Sequence, residues 1–431
     1  MEKMIQHKLM PWFVVFSASL FFFYQFTQMN IISSLAPYLM RTFSINATHL
    51  GNLEAAYFFA TILFLLPAGQ ILDRISTRKV ILSVLMISIL GTFAFALSPS
   101  YWAACISRFV TGIADAFCFL SGIHIASRWF SNEKLAFVSG LVATMGMLGG
   151  TMAQTPLALL IKHTGNWHYA IILDGILGFI IWILIFIYVK DHPSEQKDRQ
   201  HQDHQELRQF GYWKAMRFSY GKIRNWFCGL YSCFISLPVF LIGGGAFGSL
   251  YLQQVKHMTT LQASYPPMMI FFGMAVGSPL MGWISDKLNR RKLPMQLGAI
   301  ICTGLILCII YLSVSLTVYA ILFFLLGFIS STGIISYALV TESNVKILTA
   351  TSISIISFVT LSGSAIFPPL FGHIMDKGND FKIVHNIHVY SALDYHRAML
   401  VMPITMIIAL MVTFFIRETY CKPTPTSFPS H

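Results

Sequence analysis

Gly69-Gln-Ile-Leu-Asp73-Arg74-Ile-Ser-Thr-Arg78-Lys79 is echoed 213 residues later by Gly282-Trp-Ile-Ser-Asp286-Lys287-Leu-Asn-Arg-Arg291-Lys292. Gly, Ile, Asp, Arg and Lys recur at matching positions (69/282, 71/284, 73/286, 78/291 and 79/292). Each copy follows one long apolar run and precedes another, so the phrase is a polar loop of a repeated unit. The same offset relates Gly150-x5-Pro156 to Gly363-x5-Pro369, and Tyr38-Leu39 to Tyr251-Leu252. Several matches on one register specify a parallel repeat of six helices plus six.

The composition explains what the runs are. Of the 431 residues, 55% are hydrophobic and 11% charged, and the mean hydropathy is +0.66. Soluble domains carry about a quarter charged residues. Here too little polar surface exists to cover a water-soluble core, whereas lipid can face the apolar side chains. The runs are long and uninterrupted, unlike the alternating strands of a membrane barrel, so the spans are helical. We expect an all-α membrane protein of twelve transmembrane helices in two six-helix pseudo-repeats. The expected spans are 11–38, 49–71, 80–98, 101–127, 135–161 and 168–189, then 226–254, 262–284, 293–314, 316–340, 350–374 and 397–416. The halves are 1–190 and 226–431, joined by a cytoplasmic linker, 191–225. Within the linker, 205–222 interleaves aromatic and basic residues and reads either as an interfacial helix or as a solvated loop.

The net charge of +12 does not point to nucleic acid, because its placement follows the membrane. With both termini inside, 22 of the 29 Lys and Arg residues fall on the cytoplasmic side and 6 on the other, while Arg108 lies inside span 4. The seven cysteines lack metal-type spacing, and six lie in apolar runs. No phosphate-binding loop and no nucleophile–base arrangement is found, so an ATP-driven pump or an enzyme is not expected, and no cofactor or metal is implied.

With these residues in place, the chain resembles the major facilitator superfamily. Its loop signature is matched by Gly69, Asp73, Arg74, Arg78 and Lys79, again by the 282–292 copy, and Arg108-x-x-x-Gly112 is similar to its span-4 arginine motif. The family's inner glycine falls on Ser76 and Asn289. Asn tolerates a left-handed backbone better than Ser, so the first loop is expected to differ in shape. The chain is also similar to a bacterial subgroup of phagosomal nutrient transporters. The residues are Phe23-Tyr24-Gln25-Phe26, Pro67-Ala-Gly69, Arg128-Trp129-Phe130 and Tyr390-x3-Asp394-Tyr395. That resemblance implies an amino-acid solute and a bacterial inner membrane.

Particular residues then acquire expected roles. The repeated loops are gates formed by Gly69, Asp73, Arg74, Arg78, Arg128, Gly282, Asp286, Arg291 and Glu342. Asp73 is expected to face the positive N-terminus of span 11, with Arg128 as ion-pair partner. By symmetry Asp286 meets the start of span 5, and Glu342 pairs with Arg291 or a neighbour. Simple positive-inside anchoring explains the Lys and Arg but not an Asp repeated at one offset. Arg108 and Asp115, seven residues apart, share a face of span 4. Intramembrane charges usually face a cavity or a partner, so Arg108 reads as a solute anchor and Asp115 as a proton-coupling carboxylate, or both as a structural brace. Glu54 is a second coupling candidate, or an interfacial carboxylate. Tyr24, Gln25, Gln28, Gln154 and Tyr337 are candidate solute contacts, or interhelical bonds. Gly243-Gly244-Gly245 marks a break in span 7, and Pro156 and Pro368-Pro369 mark kinks.

The expected function is secondary active transport of a small polar solute across the inner membrane by alternating access, as proton symport. The expected partners are solute, protons and lipid, with no nucleic acid and a monomeric state. Transport of another organic metabolite, such as a siderophore, and a non-transporting solute sensor are the alternatives.

Overall fold

A computed structural model describes residues 2–130, 132–191, 219–344, 349–378, 382–384 and 387–422. Nearly all of them are helical. Among the described residues, ten helices are long and apolar enough to cross a membrane. The other two expected spans are the helix Ala47–Arg74, which carries Glu54, and a pair of helices, Asn132–Met152 and Thr155–Thr164. The expected linker helix lies mostly outside the described residues.

Spans 1, 5 and 7 are interrupted where apolar composition alone would have them continuous, and span 12 is divided at Leu400 into Ala392–Met399 and Val401–Phe415. Span 1 divides into Glu2–Asn30 and Ile32–Phe43. Span 5 breaks at Ala153–Gln154, just ahead of Pro156, which sits in the first turn of the second piece where a missing N–H costs nothing. Span 7 runs from Ile223 to Pro238, passes through a π-helical stretch, Val239–Gly244, and restarts as Ala246–Gln254 with Gly245 extended. The Gly243–Gly245 break anticipated from sequence is therefore present. Span 11, by contrast, is one helix, Thr349–Asp376, straight through Pro368 and Pro369. Span 10 tightens into a 3-10 turn at Ser331–Gly333.

Between spans 11 and 12 the chain adds a two-stranded antiparallel hairpin, Lys382–Val384 with Ile387–Val389, pairing Ile383 with His388. The all-helical expectation did not include it. Its position names the two ends of the bundle: a hairpin end, and a signature end that carries the repeated loops.

The apolar core differs between the ends. Toward the signature end the first six spans pack around a core of their own, with Phe21, Leu85, Phe117 and Ile181 all buried. Toward the hairpin end one core joins both sets of spans, placing Leu35, Leu39 and Ile171 together with Phe247, Tyr251 and Phe371. Phe26 stands edge-on to Phe271, and Phe58 to Phe240, across the same junction. The two sets of spans are thus closed on each other at the hairpin end.

Candidate functional site

The breaks in spans 1, 5 and 7 meet. An interrupted helix leaves carbonyls without intrahelical donors, and at membrane depth such backbone is tolerated only where protein covers it or it lines a cavity. Ser34 Oγ donates to the carbonyls of Ala153 and Gln154 at 2.8 and 3.0 Å. Gln154 Nε2 donates to the Gly243 carbonyl at 3.1 Å, and Ser249 Oγ to that of Ser33. Gly244 must lack a side chain, because a β-carbon there would strike the Asn30 amide. Gln154, read from sequence as a solute contact, is a strut of this seam.

Arg108 lies just beside it, 1% exposed. Its Nη1 donates to the Gln28 carbonyl at 2.7 Å, and its guanidinium stands 4.7 Å from the Tyr57 ring centre. Nε and Nη2 have no hydrogen-bond partner among the described residues. Glu54 and Asp115 both act on Arg108 electrostatically, but neither forms an ion pair with it among the described residues. A buried guanidinium with two idle donors is costly unless something completes it. Gly112, one turn along, lets span 4 close on span 2, since a β-carbon there would meet the Tyr57 carbonyl.

Asp115 is half-buried on the same face of span 4 and accepts from Thr61 Oγ1 at 3.1 Å. Cys118 Sγ lies 3.5 Å from its other oxygen. The Tyr57 ring lies against the Arg108 guanidinium, and its hydroxyl donates to the Gln25 carbonyl at 3.1 Å. Sequence spacing placed Arg108 and Asp115 on one face but did not single out Tyr57, which belongs to a different span.

The polar face of span 1 turns elsewhere. Tyr24 donates to Thr92 Oγ1 at 3.0 Å and packs on Gly178. Gln25 Nε2 donates to Ser88 Oγ at 2.7 Å, and the Gln28 amide donates to Asp174. These side chains brace spans 1, 3 and 6, because a buried amide needs a fixed partner and those spans supply one. Only the backbone of Gln28 reaches Arg108. Tyr337 interacts with Ser232 and Ser357, and Thr360 Oγ1 donates to Ser232 Oγ at 3.2 Å, forming a separate polar cluster in the last six spans. Glu54, 2% exposed, accepts from the Ala246 amide at 3.3 Å, which crosses from span 2 to span 7.

At the signature end each repeated loop carries its own charged network. The side chain of Asp73 lies outside the described residues, as do the side chains of 131–137 at the start of span 5. Arg128 Nη1 stands 3.7 Å from Asp191 and donates to Thr77 Oγ1 at 3.0 Å, so among the described residues Asp191 is a carboxylate it meets. Asp191 also takes the Arg78 amide at 2.8 Å and the Ser76 hydroxyl. Asp286 is engaged by Arg291 at 2.7 Å within its own loop and remains largely exposed. Arg291 pairs also with Glu342 at 2.6 Å. The loops differ in shape: Asn289 is left-handed (φ 49°), whereas Ser76 is a helix N-cap at φ −48°.

One carboxylate was missed in each network. Glu418 accepts the Arg291 and Lys292 amides at 2.9 Å each, as Asp191 accepts that of Arg78. Burial acts to raise the Glu418 carboxyl, but the amides of Arg291, Lys292, Tyr420 and Thr419 outweigh it and hold the group below its ordinary range. The available signal was a basic–acidic pair closing each half, Lys190-Asp191 and Arg417-Glu418.

Comparison with known proteins adds three findings. A family model described as Major Facilitator Superfamily matches residues 17–368. The chain is 26% identical over 300 residues to the D-galactonate transporter of Escherichia coli O6:H1 (strain CFT073), covering 62% of this chain and 67% of that one. It is 23% identical over 377 residues to the probable galactarate/D-glucarate transporter GarP of Escherichia coli (strain K12), covering 78% and 82%. Among solved structures, a bacterial homolog to the human lysosomal transporter Spinster, in an inward-facing and occupied conformation, matches with a TM-score of 0.78 at 16% identity, covering 97% of this chain and 99% of that one.

Proposed function

The chain belongs to the major facilitator superfamily and is a membrane-spanning secondary transporter; from that premise we propose that its solute is a small polyhydroxylated carboxylate, a sugar acid. The observation that carries this is Arg108, whose idle Nε and Nη2 form the two-pronged edge that a carboxylate fits. Two of its relatives are named for galactonate, galactarate and glucarate, and these solutes share that chemistry. An amino acid also offers a carboxylate, and it is kept as an outcome of the test.

Tyr57 and the Gln28 carbonyl hold the guanidinium in place. Asp115 carries the coupling proton on the same face, with Thr61 fixing its orientation. A singly charged solute anion such as galactonate entering with one proton adds no net charge to a poorly hydrated site, which favours symport. The signature end faces the cytoplasm of a bacterial inner membrane, in keeping with the basic bias of its loops. With the hairpin end closed, the solute path opens inward. Gly69, Arg74, Arg78 and Arg128, with Gly282, Asp286, Arg291 and Glu342, reassemble as the inner gate in the opposite state, joined there by Asp73.

The test is uptake into sealed vesicles of D-galactonate, D-glucarate, glucose and alanine, with and without an inward pH gradient. The acids accumulate when the gradient is present. Accumulation of alanine or glucose without the acids overturns the solute class. Binding that never leads to accumulation or exchange supports a sensor.

A further inference from the structure

Glu54 joins the solute site to the hairpin-end closure. It projects from span 2, in the first six spans, and its carboxylate accepts the Ala246 amide at 3.3 Å in the last six. Ala246 is the first residue of the restarted piece of span 7. The π-helical stretch ahead of it leaves that amide without a partner from its own helix, and Gly245 supplies no side-chain cap. A β-carbon at Gly245 would strike the Phe240 carbonyl oxygen and come within 2.8 Å of Glu54 Oε1, so a glycine is needed where the chain leaves the π-helical stretch beside the seat. Backbone donors and the positive helix end make this a favourable place for a carboxylate.

The seat exists only while the two sets of spans are in contact. When the outer piece of span 7 moves away, Glu54 loses its donor and stays inside the first six spans. There it acts on Arg108, which has two idle donors. We propose that Glu54 alternates between these partners: it caps Ala246 when the hairpin end is closed, and it neutralises Arg108 when that end is open and the site empty. This rests on the reading of Arg108 as the carboxylate anchor. A solute carboxylate that takes Arg108 displaces Glu54, and the displaced carboxylate is satisfied again only by closure on span 7. Solute binding then favours closure because the closed state alone seats both anions, which is the differential affinity a ligand needs to shift a conformational equilibrium.

The proposal can be tested without solute. Spin labels at Arg41 and Val318, both exposed near the hairpin end and from opposite halves, report its opening in the full-length, lipid-embedded protein with the native cysteines replaced. In Arg108→Gln the open state loses its counter-ion, so the empty protein shifts toward the short distance by about tenfold, the size expected for one charge-assisted bond. Adding Glu54→Gln to that variant removes the shift. Arg108→Met removes the same counter-ion and serves if Arg108→Gln does not fold. An unchanged empty distribution in Arg108→Gln, or in Arg108→Met where it stands in, overturns the proposal. D-galactonate is then added. If wild type shortens its distance and Glu54→Gln binds the acid without shortening, the coupling is as proposed, and if both shorten equally it is overturned. If wild type does not respond to D-galactonate while the empty-state shifts are present, the solute class has failed and the alternation of Glu54 stands.

Discussion

Asp376, at the hairpin end of span 11, accepts the backbone amide of Thr48 at 2.9 Å, so the last six spans help to cap the first turn of span 2. The four amides that open that helix are all accounted for. Ala47 donates to the Tyr390 hydroxyl, Thr48 to Asp376, His49 to the Asn46 side chain and Leu50 to the Asn46 carbonyl. Two of the four partners belong to the other half and are lost when the hairpin end opens. Replacing an N-cap acceptor costs about 1 kcal/mol. Asp376→Ala is therefore expected to shift the Arg41–Val318 distance toward the open state by roughly fivefold. An unchanged distribution would mean that the cap contributes nothing to closure.

Arg108 holds one bond where it has room for three. Arg108→Lys keeps the charge but loses the planar fork, so D-galactonate binding, measured by calorimetry, is expected to weaken by at least about tenfold. Arg108→Met removes an incompletely paired buried ion, and substitutions of that kind are often neutral or stabilising. The empty variant should unfold at or above the wild-type temperature and no longer be stabilised by D-galactonate.

Asp115→Asn keeps the bond from Thr61 but removes the titrating group. Counterflow of solute, which needs no net proton movement, is expected to persist, while accumulation driven by a pH gradient is lost. Gradient-driven accumulation at the wild-type level would place the coupling proton elsewhere.

Glu418 gives a pH-dependent stability. Its carboxyl is held below the ordinary range in the folded protein, so its contribution is fully present above the unfolded value. It fades as pH falls through the lowered folded value. Wild type should unfold at a higher temperature than Glu418→Gln at neutral pH, and the gap should close on acidification below about pH 4. A gap that is constant with pH would assign the effect to packing.

Gly69 and Gly282 occupy matching positions, and in this state a β-carbon at either meets nothing within 4 Å. Leu at these sites should leave stability within about 0.5 kcal/mol. If the inner gate closes by bringing the opposite half against these glycines, the same variants lose transport. Normal uptake by both would remove the glycines from the gate.

Much of this molecule can be read from its sequence, and what cannot has a common cause. The repeated loop fixed the positions of spans 2–3 and 8–9, and seven-residue spacing put Arg108 and Asp115 on one face. The triple glycine marked the break in span 7. Span 1, however, carries polar groups on several sides, so periodicity could not tell a cavity from the neighbouring helices that receive Tyr24, Gln25 and Gln28. Glu54 finds a backbone amide 192 residues away, and that amide is free only because of a local π-helical stretch. Backbone acceptors and donors have no letter in a sequence, and both idle donors of Arg108 are visible only once its neighbours are placed.

The break in span 7 also bears on leakage. Two stiff halves rocking about a fixed axis would open one mouth in proportion as the other shut, and every crossing would pass through a half-open pore. A short outer segment, Ala246–Gln254, set off by the break at Val239–Gly245, would let one mouth seal before its counterpart unseals if it hinges there. The membrane potential would then not be short-circuited through the protein, and the cargo would spend part of each cycle locked away from both compartments.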